Sequence, residues 1–436
     1  MSKTVESVLD IAGTGPFQRK LLAIFGLVWA ADAMQVLAVG FTAASIAESF
    51  SLTLPEALQT GTLFFLGMLI GAAGFGRLAD RFGRRRVLLI TVAIDALFGI
   101  LSAFAPNFAI LLVLRFITGM AVGGTLPVDY AMMAEFLPAR SRGRWLVMLE
   151  GFWALGTVLI ALTAWCVSLW LPGDGWRVIF AVAAIPALVG IWFRPGIPES
   201  PLYLQRTGRS AELKQVLDLV LAKNGKPTLP ADETIAPMPV SAAEGIFSAG
   251  LRRRTLAVLS IWFLVSLAYY GIFTWMPARL AGDGVGDLRG HGFLVIMALA
   301  QLPGYALAAW GVEAIGRRRT LIGFLLLSAA GCALFFAATS VPLTAAALLV
   351  LSFSLLGTWG ALYAFTPELY PTASRGTGMG TAGAFARLGG LLAPSILAAL
   401  FAVDMPTTIA GLGLCLLLAA VAAFLIDVET RRAALT

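Results

Sequence analysis

One pattern is written twice in this chain. Asp80-Arg81-Phe82-Gly83-Arg84-Arg85-Arg86 returns 233 residues later as Glu313-Ala314-Ile315-Gly316-Arg317-Arg318-Arg319. The same offset carries Ala134-Glu135-Phe136-Leu137-Pro138-Ala139-Arg140-Ser141-Arg142-Gly143 onto Pro367-Glu368-Leu369-Tyr370-Pro371-Thr372-Ala373-Ser374-Arg375-Gly376. Two unrelated charged loops would not keep register across more than half of a 436-residue chain, so the fold must be two copies of one unit.

That unit is built for lipid. Hydrophobic residues make up 59% of the chain and charged residues 13%, about half the charge of an average soluble domain. Twelve apolar stretches fill most of the length, each long enough to cross a bilayer as a helix of about 20 residues. They run approximately over 20–47, 57–79, 86–105, 108–136, 143–170, 177–194, 254–278, 290–312, 319–339, 343–368, 376–402 and 407–427. The expected fold is an all-α membrane protein with twelve transmembrane helices in two pseudo-symmetric six-helix bundles. Residues 1–194 form the N-terminal bundle, 195–252 a cytoplasmic linker with amphipathic helices, and 253–436 the C-terminal bundle.

The net charge of +7 is explained by orientation, so a nucleic-acid partner is not expected. Basic clusters follow the even-numbered spans, and most of the opposite connections are poor in Lys and Arg. The positive-inside rule then places both termini in the cytoplasm, in an inner membrane. The first 18 residues are mixed polar and read as no cleavable signal peptide. In the linker, Leu213, Val216, Leu217, Val220 and Leu221 mark one helical face, expected to pack on the cytoplasmic side of the bundle.

Several chemistries drop out. Cys166, Cys332 and Cys415 all lie in apolar stretches and read as small buried residues rather than a disulfide framework. The single histidine, His291, leaves no histidine relay or histidine metal site. No nucleotide loop, metal cluster or nucleophile triad is present, so no enzyme activity, cofactor or metal is expected.

Charges inside the spans need a reason, because each costs a few kcal/mol at the bilayer centre. Asp32 is alone between Lys20 and Glu48, Arg115 between Asp95 and Asp129, Glu150 between Arg144 and Asp174, and Arg387 between Arg375 and Asp404. Arg387 sits about 11 residues into its span, roughly 17 Å deep and near the midplane. A guanidinium there can grip a carboxylate with two parallel hydrogen bonds, or pair with a helix end or an acid of the other half. Glu150 lies one turn from Trp153 and is either a proton or substrate contact or a cap for a neighbouring helix. Asp129 fits a gate contact, and Asp95 has no assigned role.

Flat rings accompany these charges. Trp153, Tyr269, Tyr270, Trp359 and Tyr363 offer stacking faces, and Gln301 a polar partner in mid-span. One of Tyr269 and Tyr270 is expected to face a central cavity, because adjacent helical residues diverge by about 100°. Trp275 and Trp359 fit a cavity or a membrane interface equally well. In the loops, Asp80, Arg84, Glu135, Arg142, Glu313, Arg317, Glu368 and Arg375 suit a cytoplasmic charge network that gates the two halves.

Gly76-Arg77-Leu78-Ala79-Asp80-Arg81-Phe82-Gly83-Arg84-Arg85 resembles the signature loop of the major facilitator superfamily, and Arg115 with Gly119, Gly123 and Gly124 its fourth-span motif. Pro198-Glu199-Ser200-Pro201 and the Pro367 to Gly376 stretch are similar to those of sugar porters and their organic-ion relatives. Three stretches resemble bacterial nicotinate (niacin) transporters of the organic-ion and synaptic-vesicle-protein-like branch. They are Asp32-Ala33-Met34, Gly123 to Val128 with Glu150 to Trp153, and Tyr269 to Pro277. That group usually carries an acid where Gln35 stands and a glutamate where Thr125 stands.

The resemblance implies a secondary active transporter working by alternating access. Its expected activity is proton-coupled import of a small aromatic carboxylate such as nicotinate, by a monomer in contact with membrane lipid. In similar sugar/proton symporters a first-span aspartate faces a fourth-span arginine. This implies a proton-coupled pair of Asp32 and Arg115, the alternative being a static ion pair. The Ala386 to Pro394 stretch resembles organic-anion carriers, which hold arginine at the position of Arg387. The alternative activity is a sugar or organic-cation uniporter or symporter. Drug antiport is disfavoured because Gly151 to Thr163 contains no proline.

Overall fold

The computed structural model describes residues 3–138, 140–171, 173–230, 233–236, 245–283, 291–401 and 405–431. The side chains of residues 77, 80, 274–283, 291, 372, 373, 375, 376, 394, 395, 397–401 and 405 lie outside that description.

Helices account for nearly all of it. A short α1 (Val5–Ala12) precedes α2 (Pro16–Ser49), α3 (Leu54–Ala57), α4 (Gln59–Phe82), α5 (Arg84–Ser102), α6 (Phe108–Glu135), α7 (Arg142–Trp170) and α8 (Gly175–Phe193). The connecting segment holds α9 (Pro201–Arg206) and α10 (Ser210–Lys223). The second half follows as α11 (Arg252–Asp283), α12 (His291–Leu299), α13 (Gln301–Ala314), α14 (Arg317–Phe336), α15 (Val341–Phe365), α16 (Thr372–Phe401) and α17 (Met405–Phe424). Among the described residues, ten helices are long and apolar enough to cross a membrane. Charged α5 and Arg387-bearing α16 complete the twelve spans, with α12 and α13 sharing one.

That shared span corrects the expected continuous helix over 290–312. It breaks between Leu299 and Gln301. Pro303 has no amide hydrogen to give the preceding turn, which weakens the helix there. Elsewhere the ends follow local chemistry. Asn107 accepts a hydrogen bond from the Ile110 amide at 2.9 Å to cap α6, and Thr53 with Glu56 forms a capping box ahead of α4.

The repeat read in the loops also governs packing. Gly71 on α4 lies so close to α6 that an added Cβ would stand 2.0 Å from the Met120 carbonyl oxygen. Gly304 on α13 meets α15 in the same way, 2.1 Å from the Phe353 carbonyl oxygen. Both residues of the second pair lie 233 positions after those of the first. Such close backbone approach is what small residues permit between helices in lipid, where apolar burial itself gives little drive.

The halves meet through α2 on α11, α4 on α16, and α7 on α12, α13 and α15. α2, the 265–273 stretch of α11 and the second half of α15 are therefore buried almost all round. In the connecting segment, the apolar face of α10 is buried against α1, α9 and the start of α2. Cys332 is buried and Cys415 half-buried, but Cys166 is exposed on α7, which corrects its reading as a buried residue.

Candidate functional site

The boundary between the halves is lined with aromatic rings. Trp29 and Tyr130 come from the first half with Trp153; Trp262, Tyr269, Trp359 and Tyr363 come from the second. The Trp29 ring lies 5.7 Å from that of Tyr363 and 6.3 Å from that of Trp153. Trp262 lies 4.7 Å from Tyr363 and 5.5 Å from Trp359. Trp153 Nε1 donates a 2.7 Å hydrogen bond to the Tyr269 hydroxyl, joining α7 to α11 across the boundary. Tyr270 turns away from Tyr269, as neighbours on a helix must, and its ring meets Phe65 of α4 at 4.6 Å. Both tyrosines are thus buried at the boundary rather than one alone. Sequence reasoning missed Trp29, Tyr130 and Trp262. Helical spacing carried the signal: Trp29 precedes Asp32 by one turn and Trp262 precedes Tyr269 by two.

Arg387 enters this cage from α16. It is 3% exposed, its Nη1 donates to the Gly383 carbonyl at 3.5 Å, and its Nε has no hydrogen-bond partner among the described residues. Its guanidinium donates a hydrogen bond to the Tyr363 hydroxyl, and Tyr270 and Asp32 act on it electrostatically. The charged group that Glu150 of α7 feels is likewise Arg387. Both Asp32 carboxylate oxygens and Glu150 Oε1 lack hydrogen-bond partners among the described residues. One cation and two acids, drawn from opposite halves, therefore share one low-dielectric region. Nearby, Gln301 is fully buried with both amide atoms unpartnered among the described residues, beside a small cavity it lines with Phe41, Thr157, Phe273 and Met297. The side chains of Trp275 and His291 lie outside the described residues.

The expected pairing of Asp32 with Arg115 is not what the structure holds. Arg115 Nη1 donates to Gln35 Oε1 at 2.6 Å and Nη2 to the Gln35 carbonyl at 2.7 Å. Its guanidinium is sandwiched between the Phe64 and Phe180 rings, 4.5 Å from each centroid. The reason is register. Gln35 lies almost one turn beyond Asp32 on α2 and is the residue level with Arg115. Asp95, left unassigned by the sequence, supplies the nearest acid. A second buried pair also went unseen: Arg194, in the turn after α8, forms an ion pair with Asp129. Arg194 read only as the last residue of the 177–194 span, with no partner assigned to it.

At the Arg-rich end, the loop residues assemble in each half. Arg84 pairs with Glu135, which also accepts from the Ser200 hydroxyl. Arg317 pairs with Glu313 at 3.3 Å and Glu368 at 3.1 Å, and the Thr430 hydroxyl donates to Glu368 at 2.5 Å. Gly83 (φ +99°) and Gly316 (φ +122°) turn the chain into α5 and α14, where each helix start meets a carboxylate. The Arg85 amide donates to Glu199 at 3.3 Å and the Arg317 amide to Glu429 at 2.8 Å. Arg142 donates to the Ala134 and Leu137 carbonyls and pairs with Glu6 at 3.5 Å. Glu368 of the other half lies within its electrostatic reach. The Asp80 and Arg375 side chains lie outside the described residues.

Comparison with known proteins fits this architecture. The family model described as "Sugar (and other) transporter" matches residues 32–435. The niacin transporter NiaP of Acinetobacter baylyi is 38% identical over 387 residues, 88% of this chain and 87% of its own. The synaptic vesicle 2-related protein of Xenopus laevis is 31% identical over 98% of this chain and 81% of its own. The solved proton:xylose symporter XylE superposes with a TM-score of 0.79 over 96% of this chain and 97% of its own, at 18% identity, a likeness of fold alone.

Proposed function

Since this chain belongs to the sugar (and other) transporter family of the major facilitator superfamily, we propose that it imports a small aromatic carboxylate, nicotinate first among the candidates, driven by protons. It is an integral membrane transporter and not an enzyme.

The observation that carries the reading is Arg387 within a cage of rings contributed by both halves. A guanidinium with an unsatisfied Nε suits a carboxylate, and the rings suit a flat heterocycle. Trp153, Tyr269, Tyr270, Trp359 and Tyr363 would stack on or enclose the ring, and Gln301 would meet its nitrogen. Asp32 and Glu150 share the field of Arg387. Protonating them would free the guanidinium for substrate, and rebinding them would expel it, which is the logic of coupling by differential affinity. Arg115 would set the charge balance behind Asp32.

The boundary supports alternating access as the mechanism, since a site built from both halves would open to one side or the other as they rock. The ion pairs around Glu135 and Glu368, with Asp80, Arg84, Arg142, Glu313, Arg317 and Arg375, would gate the cytoplasmic side. Both termini would then face the cytoplasm of an inner membrane. Organic-cation transport is the second reading, favoured by the unpartnered carboxylates of Asp32 and Glu150 beside the same rings.

The test is uptake of labelled nicotinate into proteoliposomes with and without an inward proton gradient. Accumulation above equilibrium supports substrate and coupling together. Equilibration without accumulation leaves the substrate and removes the coupling. No uptake, with organic cations competing for binding, moves the assignment to the second reading.

A further inference from the structure

Asp95 lies midway along α5 and is 1% exposed, with neither carboxylate oxygen hydrogen-bonded among the described residues. A buried acid in lipid with no partner is costly and needs a use. Its surroundings are specific. α5 packs on α6, α8 and α4. From α6 it faces Arg115, and each is the charged neighbour the other feels. Its charge also acts on the Asp32 carboxyl of α2, which lies in the field of Asp129, Arg194 and Arg387 as well. The buried stretch of α8 brings Phe180, Ala184 and Ala187, and the membrane-embedded stretch of α4 brings no ionisable side chain. One turn beyond Asp95, Gly99 leaves room for Gln35: a Cβ there would stand 2.4 Å from Gln35 Nε2. That Nε2 is itself unpartnered among the described residues, as is Arg115 Nε. Asp95, Gln35 and Arg115 thus form a buried polar cluster in which the guanidinium is hydrogen-bonded by a neutral amide and neutralised by a carboxylate it does not touch.

We infer that Asp95 is a proton-binding residue of the coupling machinery, the carboxylate that balances Arg115. This rests on the proton-driven reading above and extends it to a residue outside the central cage. With Asp95 ionised, Arg115 is compensated and the cluster is neutral. When Asp95 takes a proton, the guanidinium keeps only Gln35 and the two phenyl faces, and the negative charge of Asp95 no longer acts on Asp32. The proton load of the cluster is thereby linked to Asp32, whose carboxyl also lies in the field of Arg387. A static role, in which Asp95 only offsets the charge of Arg115, predicts no such link.

The experiment compares wild-type protein, Asp95→Asn and the double variant Asp95→Asn with Gln35→Glu in proteoliposomes. Gradient-driven accumulation and gradient-free exchange of labelled nicotinate are both followed. Glutamate at position 35 is isosteric with glutamine and places a carboxylate on Arg115. If Asp95 carries the proton, Asp95→Asn lowers the accumulation ratio to about one yet still exchanges substrate. Should Asp95→Asn lose exchange as well, a double variant that regains exchange without accumulation supports the inference, because Gln35→Glu restores the charge balance but not the proton site; regained accumulation, or no recovery of exchange, assigns Asp95 a static role. Accumulation by Asp95→Asn at the wild-type ratio overturns the inference while leaving proton coupling intact. Failure of the wild type to accumulate removes proton coupling itself, and this inference with it.

Discussion

Arg317 holds Glu368 through two hydrogen bonds, from Nε at 3.1 Å and from Nη2 at 3.3 Å, and 233 residues earlier Arg84 makes the corresponding ion pair with Glu135. The repeated sequence is thus a repeated interaction, closing the third span onto the end of the fourth in one half and the ninth onto the tenth in the other. The Arg317 side chain is only 3% exposed and Glu368 12%, so truncating Arg317 strands the Glu368 carboxylate with little water to solvate it. Arg317→Ala is expected to cost about 3 kcal/mol. Arg84→Ala, at 15% exposure, should cost less. Thermal unfolding in detergent reads the difference. Equal losses would contradict the burial argument.

Gly71→Ala and Gly304→Ala should behave as a matched pair. Each places a methyl about 2 Å from a carbonyl oxygen of the facing helix, and backbone cannot step aside as a side chain can. Separation of the helices and a loss of about 1–3 kcal/mol are expected at both sites. Gly323→Ala is the control, since nothing lies within 4 Å of its Cβ position. A melting temperature for Gly323→Ala at or above wild type, with both others well below, is the predicted result.

Arg387→Ala should separate an acid from its amide. If the guanidinium grips a carboxylate, nicotinate affinity falls by roughly 2 kcal/mol, about 30-fold, while nicotinamide binds no worse. Competition against a labelled ligand measures both. Equal losses for the two compounds would remove Arg387 from the substrate site.

Trp153 and Tyr269 share one hydrogen bond across the halves. Trp153→Phe and Tyr269→Phe should each cost about 1 kcal/mol in whichever state holds the halves together. The double variant should cost less than the two added, because each single change already breaks the same bond. A double-mutant cycle on substrate affinity tests this, and strict additivity would show that the contact is absent in the binding state.

Asp32→Asn should abolish uphill uptake and spare counterflow exchange. Its carboxyl and Arg387 of the opposite half act on one another electrostatically, so neutralising it removes the proton-sensitive competitor without removing the grip. Loss of exchange as well would mark a structural role. Asparagine cannot be charged at either pH, so the pH dependence of accumulation, and not only its size, should disappear.

Much of this protein was legible in its residues, and the reason is local. Twelve spans, the duplication and the lipid environment follow from run lengths and register, which depend on neighbours along the chain and on the low dielectric of the bilayer. The isolated charges Asp32, Arg115, Glu150 and Arg387 stood out because any charge in such a run is expensive. What a linear reading could not settle was which residue meets which. It aimed Asp32 at Arg115, where three residues of helical register put Gln35 level with the guanidinium and left Asp32 in the field of Asp95, Asp129, Arg194 and Arg387. It left Asp95 without a role and Arg194 without a partner, because their partners lie on other helices. Composition and periodicity determined that this chain spans a membrane as two copies of one bundle. Only tertiary packing decided the pairs, since helix rotation and the meeting of two halves are set by contacts distant in sequence.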